Sequence, residues 1–185
     1  MKRFAVLFLT IVLVFLCACG TDAELTDEAK AICGSWAYIH DDATSVLQLK
    51  ANGKAVFHDK NYTYNCDGGY IELLSSDGTQ LRLRYVLDGE KLYLYEQTTY
   101  TYSGSGSPTG VVGMWEDEPD NWSFEFTQDG TFREDGYFPG RYSVNEADGT
   151  IKLMYNDHFE DTTVYYHING SELMIEYPWP MVPET

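Results

Sequence analysis

The sequence predicts an all-β protein, an antiparallel meander that follows a short N-terminal helix and contains one β unit twice. Three observations predict it. Apolar and polar residues alternate along most of the chain after residue 34, and Asn-Gly or Asp-Gly pairs separate the alternating runs. No later segment keeps a helical period, and a set of residues recurs about 80 positions further along. Alternation bounded by such pairs is the strongest short-range signal for β-hairpins.

Composition indicates a folded and strongly acidic protein. Hydrophobic residues make up 44% and aromatic residues 15% of the 185 residues, which excludes a disordered chain. The formal net charge is −17. A field of this sign repels phosphate backbones, so nucleic acid is excluded as a partner. A chain of this length holds one ordinary domain or two small ones.

Residues 1–18 are predicted to be a signal peptide. Lys2 and Arg3 form a short positive segment, and the thirteen residues 4–16 are almost all apolar. Such a run is typical of a secretory signal and is too short to span a bilayer comfortably. Removing this leader leaves 10 basic and 29 acidic residues, and therefore a net charge of −19.

Residues 16–19, LCAC, resemble the lipobox of bacterial lipoprotein precursors. The resemblance implies a diacylglycerol attached through a thioether to Cys19, cleavage before Cys19, and acylation of the new amino terminus with a fatty acid such as palmitate. Two or three acyl chains anchor a protein stably. The protein is therefore expected to be extracytoplasmic, with Cys19 holding it to the cell membrane.

Residues 19–32 are predicted to form a polar tether and a short helix. Thr26 is a suitable N-cap, and the acids Asp27 and Glu28 suit a first helical turn. From residue 33 onward the alternating pattern begins, and the first hairpins are predicted at the Asn-Gly and Asp-Gly pairs.

The predicted strands occur in two copies. Among the matched positions, at offsets of 77 to 81, are Gly34 and Gly113, Trp36 and Trp115, Gly53 and Gly130, Gly69 and Gly149, Ile71 and Ile151, and Leu92 and Leu173. A slowly drifting offset indicates that the strands kept their places while loops changed length. We predict a first unit over residues 33–102, a flexible Gly/Ser linker over 103–111, a second unit over 112–178 and a tail over 179–185.

Each unit contains about seven short predicted strands. A single barrel of all these strands would be too wide for strands this short to fill. We therefore predict two small barrels or half-barrels, whose closure removes exposed edges. One barrel shared by both copies is the alternative.

The Gly-x-Trp motif that opens each unit, at Trp36 and Trp115, is followed by alternating strands and an Asn-Gly or Asp-Gly turn. This pattern resembles the lipocalin-like modules of bacterial surface lipoproteins over nearly all of residues 33–177. The resemblance implies a meander barrel and the binding of a small or apolar ligand, but no active site. Both tryptophans are expected to be core residues. Trp122 has no partner in the first copy, and residues 177–181, YPWPM, are expected to cover a barrel mouth or to offer an aromatic docking strip.

The sequence predicts no metal site and no cofactor. The histidine-containing groups at residues 40–42, 58–59 and 157–161 lack the spacing of a zinc site. Residues 116–120, EDEPD, lack the ligand alternation of a calcium loop. Without a Gly-x-Ser-x-Gly elbow, nucleophilic catalysis has little support. We expect no enzyme, although a carboxylate-dependent hydrolase is the weaker alternative, because two placed carboxylates suffice for a glycosidase.

Cys33 and Cys66 are predicted to form a disulfide. They are the only thiols of the mature chain besides Cys19, and the thiols of an exported protein can be oxidised to a disulfide. The matched positions of the second copy are Val112 and Glu146, so that both cysteines are missing together. The alternative is that Cys33 is a buried apolar residue and Cys66 an unrelated thiol.

These features predict a lipid-anchored binding protein for a small apolar or glycan ligand, held inside one unit or in the groove between units. The alternative is a structural or protein-interaction module of the cell envelope, with filled barrels and an envelope protein as its partner. Interior volume discriminates between them, because filled barrels leave only the outer surfaces for binding.

Overall fold

The structure, a computed structural model, describes residues 25–39, 46–156 and 159–184. In these ranges one helix, α1 (Asp27–Ala31), precedes fourteen antiparallel strands. The first seven are β1 (Gly34–Tyr38), β2 (Leu47–Leu49), β3 (Lys54–Phe57), β4 (Lys60–Asp67), β5 (Tyr70–Ser75), β6 (Gln80–Asp88) and β7 (Lys91–Tyr102). The others are β8 (Gly113–Asp117), β9 (Trp122–Phe126), β10 (Thr131–Glu134), β11 (Phe138–Asn145), β12 (Thr150–Tyr155), β13 (Thr162–Asn169) and β14 (Glu172–Pro183). The predicted all-β meander with a short N-terminal helix is confirmed.

A side-chain cap fixes the start of α1. The Thr26 hydroxyl accepts a hydrogen bond from the Ala29 amide over 3.2 Å and donates one to the Cys66 carbonyl over 2.9 Å. The first bond satisfies a free amide of the first turn, and the second ties the helix to β4. Ala29 is fully buried. No helix within the described ranges is long and apolar enough to span a bilayer.

Strand pairing divides the molecule into two rings. Each strand pairs with the next, and β1 pairs with β14, so that the fourteen strands close. β7 and β14 also pair with each other over ten residue pairs, from Leu92 opposite Met181 to Thr101 opposite Glu172. We call this pair the shared ribbon. Because β7 and β14 belong to both sides, β1–β7 with β14 form a first ring of eight strands, and β7–β14 form a second ring of eight.

Each strand of the ribbon begins in one ring and ends in the other. β7 pairs with β6 up to Tyr95 and with β8 from Thr101, while β14 pairs with β13 up to Glu176 and with β1 from Met181. Both strands have twelve residues, matched at an offset of 81. At ~3.3 Å per residue, twelve residues span about 40 Å, which is long enough to serve two small barrels.

Each strand of the ribbon has a stretch whose outer edge, the edge away from the other ribbon strand, pairs with no further strand in the described structure. These stretches, residues 96–100 of β7 and 177–180 of β14, we call the waist. Pro178 and Pro180 lie here. Proline lacks an amide donor and is tolerated in a strand where one side of the ladder is open. The prolines therefore occupy the place where β14 has left β13 and has not yet met β1.

Side chains fill both rings. The first core includes Leu25, Ala29, Ile32, Trp36, Leu47, Leu49, Ala55, Phe57, Tyr62, Tyr64, Cys66, Ile71, Leu73, Leu92, Leu94 and Met181. The second includes Tyr100, Val111, Trp115, Phe124, Phe126, Phe132, Ile151, Leu153, Val164, Leu173 and Ile175. Trp36 and Trp115 are core residues, as predicted, and are 5% and 0% exposed. Their indole Nε1 groups donate to the carbonyls of Ile32 and Val111 over 2.9 and 2.7 Å.

Positions that the sequence matches between the two halves also have the same local geometry. Gly53 and Gly130 have φ angles of +75° and +80°, in the left-handed region that favours glycine. The Tyr64 amide donates to the Gly53 carbonyl, and the Tyr142 amide donates to the Gly130 carbonyl, both over 2.9 Å. The same turn therefore connects the same pair of strands in each half.

Two segments predicted to lie outside the units contact the sheet. Residues 103–111, the predicted linker, connect β7 to β8, and the Ser103 amide donates to the Met114 carbonyl over 2.9 Å. Residues 179–183 of the predicted tail continue β14, and Met181 is fully buried in the first core. The division at residues 33–102 and 112–178 stays a prediction.

Candidate binding cleft at the waist

Of the three predicted cysteine sites, Cys19 lies outside the described residues. Cys33 and Cys66 are free, and the predicted disulfide between them is not present. The Cys33 thiol donates to the Ala29 carbonyl over 3.4 Å and lies 3.2 Å from the Tyr64 hydroxyl. Cys66 is 1% exposed on the inner face of β4, and burial raises the pKa of its thiol to about 12. The Cys33 sulfur therefore contacts Ala29 of α1 and Tyr64, whereas the Cys66 sulfur is buried in the first core.

No group of three or more potential metal ligands forms within the described residues. Residues 40–42, 157 and 158 lie outside them. The His58 Nε2 atom lies 3.4 Å from a Glu96 carboxylate oxygen. Residues 116–120 include the end of β8 and the turn before β9, where all are exposed except Asp117.

A cavity with a volume of about 400 Å³ lies at the waist. Its lining residues are Tyr38, Ile39, Glu96, Gln97, Thr98, Trp179 and Pro180. This volume lies in the range of small-molecule sites. We call this cavity the waist cleft. It lies outside both cores, so it exists because the two rings leave the middle of the ribbon uncovered.

Aromatic rings form one wall of the waist cleft. The ring centroids of Tyr38 and Trp179 are 5.9 Å apart in an edge-to-face arrangement, and those of Tyr177 and Trp179 are 5.3 Å apart. Trp179 is 46% exposed, although a side chain of this size is usually mostly covered. The wall thus presents an indole ring to solvent at the centre of a concave surface.

A carboxylate stands beside this wall. Tyr38 donates a hydrogen bond from its hydroxyl to one oxygen of Glu96, and His58 lies at 3.4 Å from the other. Glu96 is opposite Tyr177 in the ribbon, so both side chains leave the sheet on the same face. The Glu96 carboxylate is therefore a hydrogen-bond acceptor that Tyr38 holds in place beside the apolar faces of the aromatic rings.

Thr98, which lines the cleft, lies two residues before Tyr100, which is buried in the second core. Burial raises the pKa of the Tyr100 phenol, and the negative charges of Glu134 and Asp117 raise it further, while a hydrogen bond with Thr98 opposes the rise. The pKa of Tyr100 therefore responds to both carboxylates.

Two aromatic side chains donate hydrogen bonds to the Glu134 carboxylate. Trp122 Nε1 donates to its Oε1 atom over 3.0 Å, and the Tyr155 hydroxyl donates to its Oε2 atom. Burial raises the pKa of the Glu134 carboxyl although both hydrogen bonds act to lower it. Burial and the charge of Glu134 also raise the pKa of Tyr155.

A second feature lies on the outer face of the sheet and includes residues of β5, β6, β13 and β14. Arg84 donates from Nε to Glu176 over 2.8 Å, and its guanidinium carbon lies 3.8 Å from the ring centroid of Tyr165. Arg82 stacks on Tyr70 at 3.5 Å. Burial acts to lower the pKa of Arg84, but the hydrogen bond and charge of Glu176 outweigh it, so the pKa rises. A groove of about 210 Å³ adjoins these residues.

Most residues of the waist cleft carried no signal in the sequence. Residues 177–181 and Trp122 were singled out as aromatic features, and of these Trp179 and Pro180 line the cleft. Tyr38 and Glu96 were not predicted, because each lies in an ordinary strand and only strand pairing brings them to one place. The one available signal was the position of Tyr38, two residues after the tryptophan that opens its half.

Comparisons of the chain with protein-family models, with curated proteins and with solved structures gave no match.

Proposed function

We propose that this protein is a lipid-anchored, extracytoplasmic binding protein and that the waist cleft holds its ligand, a glycan. One observation carries the proposal: an exposed Trp179 stands beside Tyr38 and Glu96 over a cavity of about 400 Å³, whereas side chains occupy both rings. Small-molecule sites typically combine apolar and aromatic walls with a few placed polar groups. The waist cleft has this composition.

The chemistry of the wall favours a glycan over a purely apolar ligand. A sugar ring has a face of C–H groups, which packs on an aromatic ring, and a rim of hydroxyls, which donate to a carboxylate. Trp179 and Tyr38 offer the rings, and Glu96 offers the acceptor. A purely apolar ligand would leave the Glu96 carboxylate desolvated without a new donor, which is costly.

Binding of a trimer of N-acetylglucosamine and of a trimer of glucose, measured by calorimetry, tests this function. We expect at least one trimer to bind, and we expect Trp179→Ala to weaken it roughly tenfold, equivalent to about 1.4 kcal/mol. Tyr137→Ala is the matched control, because Tyr137 is 79% exposed and does not line the cleft. Absence of binding to both trimers, or equal binding by Trp179→Ala and the wild type, would contradict the proposal.

The cellular location follows from the leader and from Cys19. We expect Cys19→Ala to move the protein from the membrane fraction to the medium or to leave it as an uncleaved precursor. Cell fractionation and intact-mass measurement check this. Membrane retention at the mature mass in the variant would contradict the lipid anchor.

A second candidate is a protein-interaction module of the cell envelope. The observation that favours it is on the outer face of the sheet, where Arg82 stacks on Tyr70 and Arg84 stacks on Tyr165. Arginine and tyrosine are enriched at interfaces and in binding hot spots. If Arg84→Ala abolishes assembly with an envelope protein while Trp179→Ala has no effect on it, this second function is favoured.

A further inference from the structure

We propose that Arg84 is a positioning residue that joins the two rings on the outer face of the sheet and thereby fixes the shape of the waist cleft. The effect on binding rests on the proposed function. The structural part, a fixed arrangement of the two rings, can be tested without a ligand. We call the contacts of Arg84 with Tyr70, Tyr165 and Glu176 the brace.

The waist is the place where the two rings need a further support. Within the described residues, strands pack extensively only on their neighbours in the sheet, so the ribbon carries the connection between the rings. Two-stranded ribbons twist more than wider sheets and have little stability by themselves. Without further contacts, the rings would therefore be free to turn relative to each other about the waist.

Arg84 makes contacts on both sides of the waist. It lies in β6, which belongs only to the first ring, whereas Tyr165 lies in β13, which belongs only to the second. The guanidinium carbon of Arg84 lies 3.8 Å from the ring centroid of Tyr165 and 4.8 Å from that of Tyr70 in β5. A guanidinium group is attracted to aromatic faces. Arg84 therefore contacts an aromatic side chain from each half of the molecule.

The contact between Arg84 and Tyr165 passes over the ribbon. The sheet places β7 and β14 between β6 and β13. Neighbouring strands are ~4.8 Å apart, so β6 and β13 would be roughly 14 Å apart in a flat sheet, a distance that only long side chains cover. Tyr95 adds to this contact from the first-ring part of β7, because its ring centroid lies 5.5 Å from that of Tyr165.

Glu176 connects the brace to the ribbon itself. Arg84 donates from Nε to a Glu176 carboxylate oxygen over 2.8 Å, and the two side chains are 25% and 30% exposed. A charge-assisted hydrogen bond that is partly withdrawn from water is screened less than an exposed ion pair. Glu176 is the last residue of β14 that pairs with β13. The ion pair therefore holds the ribbon at the point where the waist begins.

The brace reaches the ribbon beside the residues that line the cleft. Glu176 is opposite Gln97 in the ribbon, and Gln97 lines both the waist cleft and the groove that adjoins Arg84. The neighbours of Gln97 in the chain, Glu96 and Thr98, also line the cleft. Another lining residue, Tyr38, belongs to β1 of the first ring. A twist of the waist would therefore move Glu96 and Thr98 relative to Tyr38.

Arg82 provides a matched control for Arg84. It lies two residues earlier in β6, stacks on Tyr70 at 3.5 Å and has its Nε atom 3.6 Å from a Glu72 carboxylate oxygen. Tyr70 and Glu72 both belong to β5, so these contacts stay within the first ring. Arg82→Ala removes the same charge and the same side chain as Arg84→Ala but no contact between the rings.

Distances between two spin labels test the brace without a ligand. The labels are attached at Asp88→Cys and Asn169→Cys, at the exposed hairpins that lead into β7 and β14 at opposite ends of the ribbon. Cys19→Ala and Cys33→Ala remove the other reactive thiols, since Cys66 is buried.

We expect one narrow distance distribution for the labelled parent and for Arg82→Ala. Arg84→Ala should give a distribution at least about twofold broader, because the rings then sample several orientations about a hinge. Circular dichroism checks that each variant is folded. If Arg84→Ala does not fold, Tyr165→Leu takes its place with the same expected result, because it removes the second-ring partner and leaves the ion pair with Glu176.

Calorimetry with the trimers of N-acetylglucosamine and glucose tests the link to the cleft. If only about a fifth of the Arg84→Ala molecules have the competent arrangement, the trimer binds roughly fivefold more weakly, equivalent to about 1 kcal/mol. Arg82→Ala should bind like the parent. A saturating trimer should also narrow the distance distribution of Arg84→Ala, because the ligand selects the competent arrangement. A loss of general stability alone would not produce this narrowing.

The outcomes separate the brace from the glycan function. If Arg84→Ala and Arg82→Ala give the same distance distribution, the brace is wrong, and a trimer that still binds through Trp179 leaves the glycan cleft standing. If neither trimer binds but Arg84→Ala alone broadens the distribution, the brace stands and the glycan function is wrong. A broader distribution together with unchanged trimer affinity overturns the role of Arg84 in shaping the cleft.

Discussion

Met181→Ala tests whether the end of the chain holds the first ring together. Met181 lies in the second part of β14, opposite Leu92 across the ribbon, and is fully buried in the first core. The substitution removes three heavy-atom groups beyond Cβ. At about 0.8 kcal/mol for each buried methylene-sized group, the transfer loss is about 2.4 kcal/mol. The cavity left behind raises the total to about 3 kcal/mol.

Chemical denaturation followed by tryptophan fluorescence measures this loss. A loss of about 3 kcal/mol corresponds to a decrease in melting temperature of about 6–12 °C for a protein of this size. Val182→Ala is the matched control, because Val182 is the next residue and only half-buried, on the other face of the strand. We expect it to cost below about 1 kcal/mol. If Met181→Ala costs no more than Val182→Ala, residues 179–183 do not close the first ring and the shared ribbon is wrong.

Three further predictions follow from local geometry. Because the folded-state pKa of Glu134 is raised, the native state binds its proton more tightly, so that stability decreases as pH rises from the ordinary carboxyl range through that pKa. Denaturation midpoints should therefore decrease less for Glu134→Gln than for the wild type between about pH 4 and 7, and equal decreases would contradict this. Gly53→Ala and Gly130→Ala should each destabilise by about 1 kcal/mol, because both glycines have positive φ; unequal losses beyond about 1 kcal/mol would indicate that the turns differ. Cys66 should resist a thiol reagent at pH 8 in the native protein while Cys33 reacts, because Cys66 is buried and the pKa of its thiol is about 12. Unfolding in denaturant without reductant should expose two reactive thiols per mature chain. Peptide mapping by mass spectrometry distinguishes the sites, and modification of Cys66 first would refute the assignment.

The hairpins could be predicted from the chain because their causes are local. Gly53 and Gly130 adopt a left-handed turn that few other residues tolerate, and the alternating strands on either side need only their nearest neighbours in sequence to pair. The helix cap at Thr26 could be predicted for the same reason, because its cause is also local. The bond to the Ala29 amide is made three residues away and needs no distant partner.

The predicted disulfide depends on a distance that the sequence does not contain, and both cysteines are free in the structure. Two cysteines that are missing together from the second half are compatible with a bridge, but also with two separate packing sites. In the folded protein Cys33 lies two residues after the end of α1, and its thiol donates to the Ala29 carbonyl of that helix. Cys66 points into the first core, where Tyr62 and Tyr64 are also buried. A bridge needs a narrow range of separation and direction, which only the packing of α1 against β4 decides.

By itself, the sequence determined the class of fold, the positions of the turns, the core role of the two opening tryptophans and the acidic character of the molecule. These depend on periodicity, on glycine conformation and on charge, which are properties of the chain alone. Tertiary structure decided that β7 and β14 each serve two rings, and that the middle of their ribbon is uncovered. It thereby brought Tyr38, Glu96 and Trp179, which are far apart in the chain, to one cleft. Long-range strand pairing sets these positions, because a strand pattern specifies which face is buried but not which distant strand lies beside it.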